Sequence, residues 1–314
     1  MEVMHVNVTP TGYWTFFCNP RRWHIDRFLL SGETQDLFAV TEWQKDWFKK
    51  GQLGVVRVGR DTRTQEHLGG RAPLEPGVYA IVEVVAEAEL RSATHDDYWL
   101  EPGELTKPRY RVGLRYVRNL VRNPIPLNHP IFDSSYDKYL VEGFQASTMP
   151  LEPTCFRAIL EEVGGVGSLD LSLQAMDVKT LEDIEQMDKH YVNASPECKE
   201  AYSRRIERGP LAQAFKKVTG FKCQMCERLG QNPYPFKKRN GEYYVESHHI
   251  IPVSKLQKGS LASSNLITLC PNHHRQVHYG NVELLELTDN EIVYLVDGTT
   301  VRIPKATSLG VSSS

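Results

Sequence analysis

The sequence predicts an α/β protein in two domains: an N-terminal mixed α/β domain with a curved sheet, a helical connector, and a small C-terminal domain built on metal ligands. Three observations predict it. Up to about Met149 the chain is a series of β-branched and aromatic runs punctuated by glycine and proline. Charged stretches with helical spacing follow, and beyond Phe221 cysteine and histidine pairs bracket two adjacent histidines. At 314 residues there is room for about two domains of ordinary size, each able to bury a core.

The strand candidates are "GYWTFFCN", "GQLGVVRVG", "GVYAIVEVVAEAEL" and "RYRVGLRYVRNLV". Between them, "HIDRFLLSG" and "TEWQKDWFKKG" read as short helices, each followed by a glycine that can close its end. "LEPTCFRAILEEVGG" reads as a last helix, giving a first domain of 1–163. "LSLQAMDVKTLEDIEQMDKHYVNA" and "PECKEAYSRRIERGPLAQAFKKVTG" have helical spacing and much charge, and the connector is placed at 164–210. The second domain is 211–314, with "SLGVSSS" as a frayed tail.

No apolar run is long enough to span a bilayer, and the opening "MEVMHVNVTPTGYWTFF" lacks the basic-then-apolar order of a signal peptide. A cytoplasmic protein with no membrane partner is expected. Six cysteines in a chain of this length do not make a disulfide scaffold, and clustered ones in a reducing compartment read as metal ligands. The net charge of −2 averages unlike segments: Lys199 to Gly280 holds fourteen Lys or Arg against five acids, whereas Glu161 to Cys198 holds nine acids against Lys179 and Lys189. A cation-rich second half suggests a polyanionic partner.

Cys223-x-x-Cys226 and Cys270-x-x-His273 are two knuckles of equal spacing. Together they supply four ligands for a closed tetrahedral zinc site. His248, His249, Asn265, His274 and His278 are left over. Neighbours on a strand point to opposite faces, so one histidine of "ESHHIIP" can hold a metal while the other does something else. If "PNHHRQVHYG" is helical, His274 and His278 share a face and can point together at a second ion. Such a cluster suits phosphodiester hydrolysis, in which a divalent ion neutralises phosphate charge and a histidine free of metal deprotonates water.

"VESHHIIP" and "NLITLCPNHHRQVH", with the preceding CxxC, resemble the HNH nuclease family over about Phe221 to Gly280. The resemblance implies a ββα-metal core, with His248 as metal ligand, His249 as general base and Asn265 fixing the loop that orients the base. His274 would be a further ligand of a catalytic magnesium or manganese ion, and His278 another candidate. In many zinc-bearing relatives a cysteine stands where this chain has His273, which leaves open how His273, His274 and His278 divide between the two metals.

"YWTFFCNPRRWHIDRFL", "TEWQKDWFKKGQLGVVRVGRDTRT" and "PGVYAIVEVV" resemble the EVE domain, one of the PUA-like nucleic-acid readers related to YTH domains, over roughly Val6 to Glu162. The best marks are Asn19-Pro20 at a strand end, the following Trp23, and the glycine-led strand to Gly59. The resemblance implies flipping of a modified base into an aromatic pocket. Stacking there contributes about 1–3 kcal/mol per base, against an extrusion cost of a few kcal/mol. Trp14, Trp23, Trp43 and Trp47, four of the five tryptophans, gather in this stretch and serve either core or pocket. The expected pocket walls are Trp23 and Trp43, with Trp14 as a further candidate and Asn19 and Asp61 as hydrogen-bonding groups for the base edge. Arg60, Arg63 and Arg71 either clamp phosphates or are solvated.

Together the resemblances imply a modification-dependent DNA endonuclease of phage defence. It would read methylated or hydroxymethylated cytosine in double-stranded DNA and cut nearby; one HNH site cuts one strand, so a double-strand break calls for two copies, as in a homodimer. The alternatives are a nicking or homing-type nuclease indifferent to modification, and a non-catalytic reader stabilised by zinc. An imidazole free of metal beside a metal site, as expected of His249, speaks against the last.

Overall fold

The computed structural model describes residues 8–100, 103, 106–172, 186, 189–251, 265–288 and 290–305. The acidic stretch 173–185 of the expected connector and the tail from 306 lie outside the described residues. The chain divides into two compact units, one drawn from 1–176 with 193–198, the other from 177–192 with 199–314.

The first unit is built on a sheet of β1 (Tyr13–Cys18), β2 (Gln35–Ala39), β3 (Leu53–Val58), β4 (Gly77–Arg91), β5 (Arg109–Asn119), β6 (Ile125–Pro126) and β7 (Thr148–Pro150). Their order is β2-β5-β4-β3-β1-β7, with β6 against β4. β1 and β3 run parallel and the other pairs antiparallel. The four runs read from the sequence are β1, β3, β4 and β5. The first eight residues of β4 are all buried, and apart from Glu83 they read as one apolar run before the pattern turns polar. The register between β4 and β5 shifts at Ile81/Val82, Val84/Ala86 and Ala86/Glu89, the kind of irregularity by which bulges bend a strand pair.

Strand alternation sends neighbouring rings to opposite faces. Trp14 joins Phe16, Phe28, Phe48 and Leu114 in one aromatic core, whereas Tyr13 stacks on Phe156 of the helix Pro153–Glu162 with ring centroids 4.7 Å apart. β3 can lie against β1 because position 54 is glycine: a Cβ there would stand 2.6 Å from the Trp14 carbonyl oxygen. "HIDRFLLSG" forms the helix Ile25–Ser31, closed by Gly32 at φ 87°. "TEWQKDWFKKG" forms the 3₁₀ helix Glu42–Trp47.

The second unit takes in the last helix of the expected connector and the helix that follows it. Pro196–Arg208, which belongs to it from Lys199 onward, and Pro210–Val218 are separate because Pro210 starts a new helix at its first turn. β8 (Glu246–His249) and β9 (Leu266–Leu269) pair antiparallel, and the helix Pro271–Tyr279 follows directly, making the expected ββα unit. A second sheet of β10 (Val282–Leu287), β11 (Glu291–Val296) and β12 (Thr299–Pro304) was not anticipated. Its signal in the sequence is Asp297-Gly298, both at positive φ (47° and 83°), the pairing that a tight hairpin turn demands. Ile292, Tyr294, Val301 and Ile303 of this sheet share a core with Cys223, Met225, Ile267 and Leu269 and so back the metal knuckles. Among the described residues no helix is long and apolar enough to cross a membrane.

Candidate functional site

Each knuckle begins a helix. Cys223 caps Gln224–Arg228 and accepts the Cys226 N–H; Cys270 caps Pro271–Tyr279 and accepts the His273 N–H. The spacing of three thus puts the second ligand in the first helical turn. The three sulfurs and His273 Nδ1 converge within 4.8 Å, all on buried residues. His273 Nδ1 lies 3.4 Å from Cys223, 3.2 Å from Cys226 and 3.4 Å from Cys270. The hydrogen bond with Cys223, followed by that with His273, holds the Cys270 thiol well below the ordinary thiol range, while the shared hydrogen bond and burial push Cys223 up. Three buried sulfurs and an imidazole are the donor set of a tetrahedral soft-metal site.

The structure groups His274 and His278 with His248, and His273 with the cysteines. The ring centroids of His248, His274 and His278 lie 5.1, 4.7 and 4.8 Å apart in pairs. His274 Nδ1 is 2.8 Å from Glu246 Oε2, and Glu246 Oε1 in turn accepts from the Tyr244 hydroxyl at 2.9 Å. His274 Nε2 and His248 Nδ1 are buried without a partner among the described residues. Burial, then the closeness of His278 and His274, pushes the His248 pKa down to about 3, so its ring is neutral at pH 7. Burial lowers His274 too, against the pull of Glu246. Neutral rings with orphaned buried nitrogens, one of them oriented by a carboxylate, suit a divalent ion. Glu246 was missed in the sequence; its signal is period two, since it lies two residues before His248 on one strand face.

His249 turns the other way, as strand alternation requires. Its Nδ1 is 2.9 Å from Glu207 Oε1 and 2.8 Å from Ser203 Oγ, and its backbone N–H donates to the same Glu207 oxygen at 3.3 Å. Its Nε2 is buried with no partner among the described residues. Burial raises the Glu207 carboxyl, but the hydrogen bond from His249 and the electrostatic pull of the neighbouring imidazoles outweigh it and the net shift is downward. Asn265 grips the backbone just after His249. Its side chain accepts the Ile251 N–H at 2.8 Å and donates to the Ile251 carbonyl at 3.2 Å, while its own carbonyl accepts the Ile250 N–H at 2.8 Å.

In the first unit a cleft of about 960 Å³ is lined by Asn19, Trp23, Asp36, Phe38, Trp99 and Tyr110 among others. Trp23 also packs on Phe28, with centroids 4.9 Å apart, and Asn19 Oδ1 accepts the Arg21 N–H at 3.0 Å. Three expected base contacts lie elsewhere. Trp14 is fully buried in the core, its indole N–H donating to Gln52 Oε1 at 2.9 Å. Trp43 is 53% exposed, edge-on to Trp47 and off the cleft. Asp61 is paired with the buried Arg63 at 2.7 Å and also accepts the Leu74 N–H, and Arg63 further binds Asp26 at 2.8 Å, so that Asp61 and Arg63 satisfy one another. Arg60 does line the cleft, whereas Arg71 stands 3.4 Å from Asp26. Phe38, Trp99 and Tyr110 were missed because β2 is too short to stand out and the others fall outside the tryptophan-rich stretch.

A β-hairpin and helix that present His-His, Asn and His beside a Cys₃His knuckle make an HNH endonuclease domain, and the HNH endonuclease family model matches residues 223–280. The chain belongs to the family of the type IV methyl-directed restriction enzyme EcoKMcrA of Escherichia coli K12, to which it is 42% identical over 241 residues, 75% of this chain and 76% of that protein. Among solved structures, the human THYN1 protein in complex with 5-methylcytosine containing DNA is 16% identical at a TM-score of 0.32, covering 48% of this chain and 97% of that one. The type IV phosphorothioation-dependent restriction endonuclease ScoMcrA is 16% identical at a TM-score of 0.22, covering 74% and 38% respectively.

Proposed function

We propose that this chain is a modification-dependent DNA endonuclease. Its N-terminal unit reads methylated or hydroxymethylated cytosine in double-stranded DNA, and its HNH site hydrolyses a phosphodiester nearby. One observation carries the reading of the site: adjacent histidines on β8 face opposite ways, His248 into a three-histidine cluster and His249 onto a carboxylate with its Nε2 left over. The methyl-directed action of the Escherichia coli relative supports the choice of substrate.

In this reading Cys223, Cys226, Cys270 and His273 hold zinc, and His248, His274 and His278 hold magnesium or manganese. The catalytic ion, when bound, supplies charge neutralisation at the phosphate and the leaving oxygen. His249 is the general base: a water proton passes to Nε2 as the water oxygen bonds to phosphorus, the P–O3′ bond breaks, and the leaving oxygen takes a proton from solvent. The products are a 5′-phosphate and a 3′-hydroxyl. Asn265 keeps the backbone after His249 in place, and Glu246 orients His274.

Residues 1–163 are assigned to reading and 211–314 to cutting, with Ser203 and Glu207 of the 164–210 connector joined to the cutting site. The flipped base would enter the cleft beside Trp23 and Asn19, where Trp99 and Tyr110 offer further rings. A double-strand break takes two copies, and the setting is cytoplasmic phage defence. The test is incubation of the full chain with magnesium or manganese and matched plasmids with and without cytosine methylation. Cutting of the methylated plasmid alone is expected. Cutting of both would point to an unselective nicking or homing-type nuclease, and cutting of neither to a reader without catalysis.

A further inference from the structure

We infer that Glu207 and Ser203 are positioning residues for the general base: the helix Pro196–Arg208 holds His249 in the tautomer whose Nε2 can accept a proton. The inference rests on His249 being the base. Two N–H groups of one residue, the ring Nδ1–H and the backbone N–H, converge on the single oxygen Glu207 Oε1, at 2.9 and 3.3 Å. That fixes ring and backbone together. Ser203 sits one helical turn before Glu207, and its hydroxyl donates to the same oxygen at 3.3 Å. A hydroxyl whose hydrogen goes to the carboxylate can only accept from His249 Nδ1, 2.8 Å away.

Nδ1 therefore carries the ring hydrogen and Nε2 the lone pair, because the other tautomer would set a nitrogen lone pair against a carboxylate oxygen. A ring flip would put a carbon where the carboxylate needs a donor. The side chains of His249 and Glu207 are 3% and 19% exposed, so water competes weakly for the contact. When His249 takes the proton from water its ring becomes cationic, and the carboxylate on its far side stabilises that charge. The gain is largest in the transition state, where the charge first develops.

The experiment compares the full-length protein with Ser203→Ala, Glu207→Gln, Glu207→Ala, His249→Ala and the double variant Glu207→Ala with His249→Ala. Cytosine-methylated plasmid and magnesium or manganese are used throughout. For each protein kcat, KM and the melting temperature are measured. Glu207→Ala is expected to lower kcat roughly 10- to 100-fold, the range for removing a group that orients a reactive residue, with KM and melting temperature unchanged. Glu207→Gln should recover much of the loss, since the two convergent N–H groups keep an amide oxygen facing them. Ser203→Ala should cost least. In the double variant the Glu207 change should add nothing to the His249 loss, because a positioning residue has nothing left to position. Full kcat in both Glu207 variants, with His249→Ala inactive, would overturn the positioning role and leave the base assignment standing. Cleavage surviving His249→Ala would overturn both. A melting temperature that falls in both Glu207 variants would overturn the inference by assigning the pair to holding the helix.

Discussion

The two units bury their chemistry in different ways. In the second, polar groups are gathered and matched: four side chains that could hold a metal ion meet at one point, three histidines at another, and Glu246, Glu207 and Asn265 each hold a histidine or the backbone beside it. In the first, the cleft is cut from the edge of an aromatic core, so that Trp23 lines it while packing on Phe28. A side chain of the histidine cluster, or one that holds His249, can therefore lose its chemistry with little change in packing, whereas a ring in the first unit serves stability and recognition at once. The knuckles of the second unit are structural in themselves. Substitutions should separate activity from folding at the histidine site and not at the knuckles or in the aromatic core.

The largest effect should come from the knuckles. Structural zinc supplies folding free energy on the order of 10 kcal/mol, so Cys223→Ser or Cys270→Ser should unfold the second unit, as should a strong chelator. Circular dichroism with metal analysis checks this, and a folded protein without tightly bound zinc would contradict it. Next comes Trp14→Ala, expected to destabilise the first unit by about 3–5 kcal/mol, read as a lower melting temperature with binding of every DNA failing together. His249→Ala should lower the cleavage rate about 10²- to 10⁴-fold with the melting curve unmoved. Glu246→Ala should weaken catalytic metal binding or activity about 10- to 100-fold, shown by a higher magnesium or manganese concentration for half-maximal cutting. The smallest effect is set by Trp43→Ala: exposed and off the cleft, it should change stability within about 0.5 kcal/mol and leave the preference for methylated DNA intact. A selective loss of that preference would move the pocket wall towards Trp43.

The same contrast governs what could be read from the chain. Metal ligands obey coordination geometry, so Cys-x-x-Cys, Cys-x-x-His and the i, i+4 pair His274 and His278 announce themselves by spacing, and strand alternation foretells that His248 and His249 diverge. Long runs such as β4 and β5 and the glycine after Ile25–Ser31 were equally legible. Ser203 and Glu207 were not, because they meet His249 across 46 and 42 residues and no local period encodes a tertiary contact. Aromatic residues carry no such code. Trp14 and Trp43 are alike in sequence prominence, yet one is fully buried and the other 53% exposed. Asp61 looked free for a base edge because its partner, Arg63, was itself read as either a phosphate clamp or a solvated side chain; the two satisfy each other.

The central claim, that one unit reads and the other cuts, is tested most directly with His249→Ala protein and a matched pair of duplexes, one methylated at cytosine and one not. Equilibrium binding of each is measured in the presence of magnesium. The account predicts that the variant cuts neither duplex while keeping the wild-type ratio of affinities for the two. A preference that disappears together with cleavage, in a protein that still melts normally, would contradict it.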